Sequence, residues 1–528
     1  MTPFRPTLSH PKYRPDIDGL RAIAVVLVVA FHAFPMWVRG GFIGVDIFFV
    51  ISGFLISTII LESLEKGTFS FLEFYSRRIR RIFPALFLVL TATFAFGWFA
   101  LLSEEYKQLG KHILAGAGFV SNLVLWQEAG YFDNSADTKP LLHLWSLGIE
   151  EQFYILWPLV IWLAWKKKFN IFTITIIFAA ASFFLNIKGI RKDAVATFYS
   201  PQTRFWELSC GSLLAWLTVY KGEMLSRVGE KLDGWLRAAV YRKSDDCKRG
   251  LLNDLSSLFG FALLLWAAWR INREFSFPGK WATLPVLGAV LIIAAGPRAW
   301  INRTVLSNRL AVWIGIISFP LYLWHWPILS FARIVESGVP SRNMRIAAVM
   351  LALLLAWLTY IGVERRVRLG NHPRASVLVL MVLMGAIAFA GYDTYKRDGL
   401  AFRKNATLQG YKGEIGHLAY HKYVAEKYYR CTPEMLAREA PEWTGFVRCM
   451  QSRPGPDVDV ALIGDSHAEH LFLGLADALP NRNVAFYIKG SPPFLGNADF
   501  SNIFKVVADS KTIKTVVLTM FWYGRYRE

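Results

Sequence analysis

Four groups that hydrocarbon excludes sit inside one apolar run, between Asp16 and Ser57: Asp18, Arg21, His32 and Asp46. An ionisable side chain left unpaired within a bilayer costs several kcal/mol, so each marks a functional position by default. An imidazole such as His32 moves protons near neutral pH. A guanidinium such as Arg21 grips an anion through its planar fork. Arg21 and His32 are eleven residues apart. That is close to three helical turns, which predicts both on one face, roughly 16 Å apart along the axis. A second group, Glu150 and Glu151 behind His143, Trp145 and Ser146, opens another apolar run. Part of it reads as a capped helix start, with Ser146 as cap and acidic residues in the first turn. A third group is Gly464-Asp465-Ser466-His467. A serine on a strand-to-helix turn lies beside helix N–H groups that favour a developing oxyanion.

The elements that must hold these groups are membrane helices. Of 528 residues, 54% are hydrophobic and only 19% charged, and the apolar runs reach the ~20 residues that cross a bilayer. A soluble single domain is excluded. The net charge of +20 does not point to nucleic acid, because the basic residues sit in short loops between apolar runs. The first run has no small-residue cleavage site after it, so it reads as an uncleaved helix. Spans are expected near 20–37, 42–63, 82–102, 147–166, 170–187, 205–220, 254–271, 281–296, 311–332, 344–363 and 374–392. With the N-terminus inside, the inner loops hold about twice the Lys and Arg of the short outer ones. An odd number of spans places everything after about residue 393 outside, in the periplasm of a Gram-negative cell. The semi-apolar piece at 111–127, in a long outer loop, is re-entrant or interfacial, or else a twelfth span.

Residues 393–456 are polar and without period, and read as a linker or extension. Cys431 and Cys449 lie there; an oxidising compartment predicts a disulfide between them. Cys210 and Cys247 are expected as free thiols. From residue 457 an α/β pattern begins, with strands at 457–463, 483–488 and 515–521 and a helix at 468–479.

Several motifs resemble one family. Arg21-x10-His32, followed by Gly44-Val-Asp-Ile-Phe-Phe-Val-Ile-Ser-Gly-Phe-Leu-Ile56, is similar to the opening of the membrane-bound acyltransferase family 3, which are integral-membrane O-acyltransferases. His143-Leu-Trp-Ser-Leu-Gly-Ile-Glu150-Glu151-Gln152-Phe-Tyr154 resembles its second signature. Arg77, Arg78, Arg80 and Arg81 resemble its arginine-rich motif, thought to meet the acyl-CoA phosphates, although they also serve as a positive-inside anchor. Arg204-Phe-Trp-Glu207 and Tyr322-Leu-Trp-His325-Trp-Pro327 resemble further family positions. The Gly464-Asp465-Ser466-His467 turn resembles the first block of SGNH hydrolases, a recurrent fusion partner of this family, and Gly490 sits where SGNH proteins keep an oxyanion-hole N–H. Two departures stand out. The strand ending at Thr519 carries no Asn, and no His follows His470 to supply the Asp-x-x-His block. Ser466 is therefore a candidate nucleophile without a base, and the reading favours a domain cut short.

The expected architecture is a polytopic α-helical membrane protein of about eleven transmembrane helices with a C-terminal, truncated α/β SGNH-like domain. Its parts are 1–368 (acyltransferase domain), 369–392 (an added helix), 393–456 (linker) and 457–528 (partial SGNH-like domain). The resemblance implies an O-acetyltransferase of the inner membrane. It would carry acetyl from cytoplasmic acetyl-CoA to a hydroxyl of a surface glycan such as a lipopolysaccharide O-antigen. His32 would be base or acyl carrier, Glu150 or Glu151 its partner, and Arg21 with the inner arginines the grip on CoA. Asp18, Asp46, His143, Arg204, Glu207, Tyr322 and His325 are further site candidates. No metal and no permanently bound cofactor are expected; the partners are acetyl-CoA, the glycan and the bilayer. Peptidoglycan is an alternative acceptor. A transporter, which also buries charge in spans, is the alternative of a different class, but no internal repeat supports it.

Overall fold

The computed structural model describes residues 13–128, 136–240, 250–272, 274–336, 338–370, 372–403, 417–440, 442–443, 446–489 and 493–520, without the side chains of 237–240, 417–419, 442–443, 446–447 and 466. The chain divides into two units, Met1–Leu408 and Gln409–Glu528.

The first unit is helical. Its helices are α1 Pro15–Ala33, α2 Gly44–Glu65, α3 Phe71–Ala100, α4 Ser103–Ala117, α5 Ser121–Glu128, α6 Leu144–Lys166, α7 Ile171–Gly189, α8 Ala194–Tyr199, α9 Phe205–Val240 and α10 Leu251–Arg270. They continue with α11 Thr283–Ala295, α12 Arg309–Ile316, α13 Ser318–Val335, α14 Arg342–Thr359, α15 Arg365–Leu369 and α16 Pro373–Lys396. Pro15 opens α1, where its fixed φ suits a first turn and its missing N–H costs nothing; Asp16 and Asp18 sit in that turn. α2 is the most buried of the long apolar helices, whereas α7, α14 and α16 leave most of their apolar surface outside, as lipid-facing helices do. Small residues let backbones touch in such bundles. A methyl on Gly53 would lie 1.8 Å from the Leu208 carbonyl oxygen, and one on Gly211 2.1 Å from that of Val50, so α2 and α9 cross in direct backbone contact. Hydrogen bonds tie the same junction: the Trp157 indole N–H donates to Ser57 Oγ (2.8 Å), which donates to Ser212 Oγ (2.7 Å).

Among the described residues, seven helices are long and apolar enough to cross a membrane, and α12 with α13, bent by 66° where they meet, would make an eighth. The expected eleven are not met as such, for identifiable reasons. α1 carries three charges, Asp16, Asp18 and Arg21, within its 19 residues. α11 has only 13 residues. The run expected as one span at 311–332 is broken at Ile317. α9 continues to Val240 through a segment expected to be loop, because its Lys, Glu, Leu, Arg and Ala are strong helix formers. The semi-apolar piece at 111–127 is neither one span nor one re-entrant helix. It breaks between α4 and α5 at Gly118 and at Phe119, whose φ is 56°.

In the second unit, helix α17 (His417–Lys427), strand β1 (Tyr429–Arg430), helix α18 (Glu434–Glu439), and strands β2 (Glu442–Trp443), β3 (Phe446–Val447) and β4 (Cys449–Gln451) come first. Strand β5 (Val460–Gly464), helix α19 (Ser466–Ala478), strand β6 (Val484–Ile488), helix α20 (Ser501–Asp509) and strand β7 (Thr515–Thr519) follow. The main sheet runs β1-β4-β6-β5-β7, with β5 parallel to both β6 and β7 and β4 antiparallel to β6. Alternate residues of β5 and β6 face two cores. Val460, Leu462 and Phe486 pack with Phe472 of α19, and Ala461, Ile463 and Tyr487 pack with Phe500. Such two-sided burial explains the unbroken apolar runs of these strands. The sheet takes in β1 and β4 from the stretch read as a linker; strands of two and three residues leave no period to read. Cys431 and Cys449 form a disulfide, with Cα atoms 5.3 Å apart. Cys210 is a free, half-buried thiol, and Cys247 lies outside the described residues.

Candidate active site

A cavity of about 1180 Å³ opens among α1, α2, α3, α6 and α13. Seven arginines (Arg14, Arg21, Arg77, Arg78, Arg80, Arg81 and Arg368) and five carboxylates (Asp18, Glu62, Glu73, Glu150 and Glu151) line it. Arg77, Arg78, Arg80 and Arg81 line the cavity from just over one turn of α3. Arg77 pairs with Glu73 one turn back (2.6 Å). Arg78 donates to Glu151 at 2.8 Å and stacks its guanidinium 3.9 Å from the Tyr154 ring centroid. Arg80 donates to the Arg368 carbonyl (3.4 Å), and Arg21 lies 3.5 Å from Asp18. Arg81 makes no hydrogen bond or ion pair among the described residues.

The two adjacent glutamates part company. Glu151 is tied to Arg78. Glu150 instead accepts two hydroxyl hydrogen bonds at one oxygen, from Ser52 Oγ at 2.6 Å and from Tyr154 OH. Ser52 was not singled out from the sequence, since a lone serine in an apolar helix is ordinary there. Deeper in the cavity, Tyr322 OH donates to the His143 carbonyl (2.9 Å), and Ser146 Oγ lies 2.6 Å from the same phenol oxygen. Ser146 Oγ is also 3.3 Å from that carbonyl, so either hydroxyl can be the donor between the two.

His32 is not in the cavity wall, although Arg21 is. It sits in the last turn of α1, its Nδ1 3.0 Å from His325 Nε2, with Trp326 edge-on at 4.4 Å. His325 Nδ1 lies 2.7 Å from the Tyr322 carbonyl oxygen. His143 is buried beside them, ring centroids 5.8 Å from His325, and neither of its nitrogens has a hydrogen-bond partner among the described residues. The arginine cavity and the histidine cluster thus meet at Tyr322.

Asp46, Arg204, Glu207 and Trp145 stand apart from the cavity. Arg204, fully buried, is 3.1 Å from Asp46 and 3.2 Å from Glu207. Its guanidinium is ringed by Phe49, Trp145, Phe198 and Phe277 at 5.5–5.8 Å. This is a sealed ion cluster locking α2 to α9. A further cluster escaped the sequence reading. Glu128 accepts from His112 (2.7 Å), Lys111 (2.9 Å) and Lys139 (3.2 Å), the last almost wholly buried. Burial pushes the Glu128 carboxyl up, but the bonds and charges of these three neighbours outweigh it and hold it well below the usual carboxylate range.

In the second unit Asp465 caps α19: its carboxylate accepts from the His467 backbone N–H (3.0 Å) and lies 2.9 Å from His467 Nδ1. Ser466 is the first residue of α19; its side chain and Gly490 lie outside the described residues. Glu469, one turn on and buried, holds His421 (3.0 Å) and Arg448 (2.7 Å). Among the described residues, no group of three or more His, Cys, Asp or Glu could hold a metal ion.

Membrane-length helices around a charged cavity, with an α/β unit that carries a serine turn in the same chain, define a polytopic membrane protein with an α/β C-terminal unit. A family described as acyltransferase domain matches residues 14–362, and one described as SGNH domain fused to such acyltransferases matches residues 430–528. The chain belongs to this family of membrane acyltransferases fused to an SGNH domain. It is 32% identical over 375 residues to peptidoglycan O-acetyltransferase OatA of Listeria monocytogenes, covering 69% of this chain and 57% of that protein. It is 30% identical over 432 residues to O-acetyltransferase OatA of Staphylococcus aureus, covering 75% of this chain and 66% of that protein. The chain therefore spans between just over half and two thirds of the length of these relatives. No solved structure matches it.

Proposed function

We propose that this chain is an O-acetyltransferase that moves acetyl from cytoplasmic acetyl-CoA to a hydroxyl of an exported cell-envelope glycan. Peptidoglycan is now the first acceptor to consider, ahead of a lipopolysaccharide O-antigen, because a relative that acetylates peptidoglycan by name shares more than two thirds of this chain. The observation that carries the reading is a single cavity running from an arginine cluster to Tyr322, whose backbone carbonyl lies 2.7 Å from His325 Nδ1, with His32 on the other side of His325. Arginine forks suit the diphosphate of CoA, and Arg81, with no hydrogen bond among the described residues, has donors to spare. The acetyl end would then lie toward His32, the base for the acceptor hydroxyl. Glu150, fixed by Ser52 and Tyr154, would orient the donor thioester. The basic loops support an N-terminus on the cytoplasmic side and the soluble unit outside. There Ser466 would receive the acetyl group, or the unit would hold the glycan.

The test is label transfer in membranes containing the full chain. Acetyl-labelled CoA is supplied with peptidoglycan fragments or with lipopolysaccharide, for wild type and His32→Ala. Label in peptidoglycan that depends on His32 is the expected result. Label in neither glycan, or transfer indifferent to His32, overturns the proposal; label in lipopolysaccharide alone reassigns the acceptor. Ser466→Ala then reports whether the soluble unit takes part in transfer.

A further inference from the structure

The arginines of the cavity are not equally neutralised. Arg78 meets Glu151 on the α6 side, and Arg77 meets Glu73. Toward α15 the balance changes. Arg80 forms no ion pair among the described residues; its Nη1 reaches only the Arg368 carbonyl, at 3.4 Å. Its Nε is buried with no hydrogen-bond partner among the described residues, and an unsatisfied buried donor is costly. Arg81 makes no hydrogen bond among the described residues, and the charges of Arg21, Arg78, Arg368 and Glu364 act on it. Glu364 is buried and holds Arg368 at 3.3 Å, while its other oxygen has no hydrogen-bond partner among the described residues. One carboxylate does not balance Arg80, Arg81 and Arg368, so this end of the cavity is short of negative charge.

The backbone explains how Arg368 comes to be here. Between α14 and α15 the chain makes a π-helical turn, Tyr360–Glu364, a feature that recurs at functional sites. On a straight α-helix, eight residues rotate Arg368 by about 80° from Tyr360; the one extra residue of a π turn brings it back to within about 20°. Both line the cavity. The cavity opens to solvent there: the Arg368 side chain is 46% exposed, and Tyr13, which interacts with Tyr360, 70%. Arg368 lies beyond residue 362, where the match to the acyltransferase family ends.

We propose that Arg368, with Arg80 and Arg81 of α3, holds the 3′-phosphate of the donor's nucleotide, so that this end of the cavity selects a complete acetyl-CoA over donors without that phosphate. This rests on the reading of acetyl-CoA as the donor. α2 lines the cavity from Val45 to Glu62, about 26 Å of helix, so the acetyl and nucleotide ends of one donor occupy different ends of it. With the acetyl group toward Tyr322, the nucleotide lies at the open end. Its phosphates differ in charge. Each phosphate of the diphosphate bears a single negative charge, whereas a phosphomonoester carries about −1.5 to −2 at pH 7. The more highly charged anion belongs where arginine is least neutralised. Arg80 Nε and the Arg81 guanidinium have donors to give it, and Arg368 keeps most of its N–H donors beyond the bond to Glu364. An acetylated phosphopantetheine on a carrier protein has no such phosphate and would leave the subsite empty.

The test is donor kinetics in membranes containing the full chain, with acetyl-CoA and with acetyl-dephospho-CoA, which lacks only the 3′-phosphate. Wild type is expected to show a KM for acetyl-dephospho-CoA about ten- to hundredfold above that for acetyl-CoA, as the loss of hydrogen bonds between charged groups predicts. Arg368→Gln, which keeps a polar side chain and loses the charge, should raise the KM for acetyl-CoA about tenfold or more while moving that for acetyl-dephospho-CoA by less than about twofold. A merely structural role for Arg368 would worsen both donors alike. Equal KM values for the two donors in wild type, or equal rises for both in Arg368→Gln, overturn the assignment and leave the donor reading standing. Transfer from neither donor in wild type overturns that reading and the subsite with it. The comparison of donors in wild type decides the matter even where a variant does not fold.

Discussion

At the scale of single residues, charge in an apolar run marks the candidate site. Arg21, His32, Glu150 and the α3 arginines stand out in the sequence because hydrocarbon tolerates none of them unpaired. What charge could not tell was which of two neighbours does what. Glu150 and Glu151 are chemically alike and adjacent, and only the fold gives one to Arg78 and the other to Ser52 and Tyr154. Ser52 itself was illegible, since a serine in a helix of Ile, Phe and Val carries no signal until its partner is known. Ser52→Ala should lower kcat about tenfold by freeing Glu150 to rotate, since a hydrogen bond to a charged group contributes about 1.5–3 kcal/mol. Ser52→Thr, which keeps the hydroxyl, should restore most of the rate; activity assays on both variants check this. Glu128 makes a prediction of a different kind. Its folded carboxyl is held below its unfolded value, so its stabilisation is complete above about pH 4.3 and is lost as pH falls through the folded value. Glu128→Gln, which leaves buried Lys139 without that counter-charge, should melt at a lower temperature than wild type at pH 7, and the gap should close in acid.

At the scale of elements, long apolar helices were legible and interrupted ones were not. A hydropathy window averages over a break, so α12 and α13 read as one span despite their 66° bend, and the charges of α1 counted only as unusual contents of a span. Tyr322 and His325, about one turn apart within α13, meet the cavity and His32 respectively. Arg204, Asp46 and Glu207 were visible as candidates, but their role as a lock between α2 and α9 depends on their complete burial together. Arg204→Ala should strand two buried carboxylates and cost about 3–5 kcal/mol. Thermal unfolding of the detergent-solubilised protein, followed by tryptophan fluorescence, would check that. A midpoint matching wild type would mean that the cluster is not the lock described here.

At the scale of the whole molecule, composition alone separated a membrane part from an α/β part, because lipid and water demand different surfaces. The edge of the α/β part was harder to see: β1 and β4 are too short to show alternation, although they flank the sheet on the side of the disulfide. Closing an 18-residue separation stabilises a fold by about 3 kcal/mol. Cys431→Ser with Cys449→Ser should therefore lower the melting of the soluble unit while leaving that of the membrane unit in place. Differential scanning calorimetry of the full chain reads both transitions. Sidedness is open to a direct check in intact cells. In a background with Cys210→Ser and Cys247→Ser, an impermeant maleimide should reach Asp477→Cys on the soluble unit and not Lys66→Cys between α2 and α3.

The backbone contact at Gly53 and Gly211 bears on how variants of this protein are interpreted. With a carbonyl oxygen 1.8 Å from where a methyl would sit, even alanine must push α2 away from α9. That displaces Ser52, the next residue along, from Glu150. A survey that scores every substitution by lost acetylation would rank these glycines beside His32, although neither lines the cavity. Only a parallel count of how much protein reaches the membrane would tell architecture from chemistry.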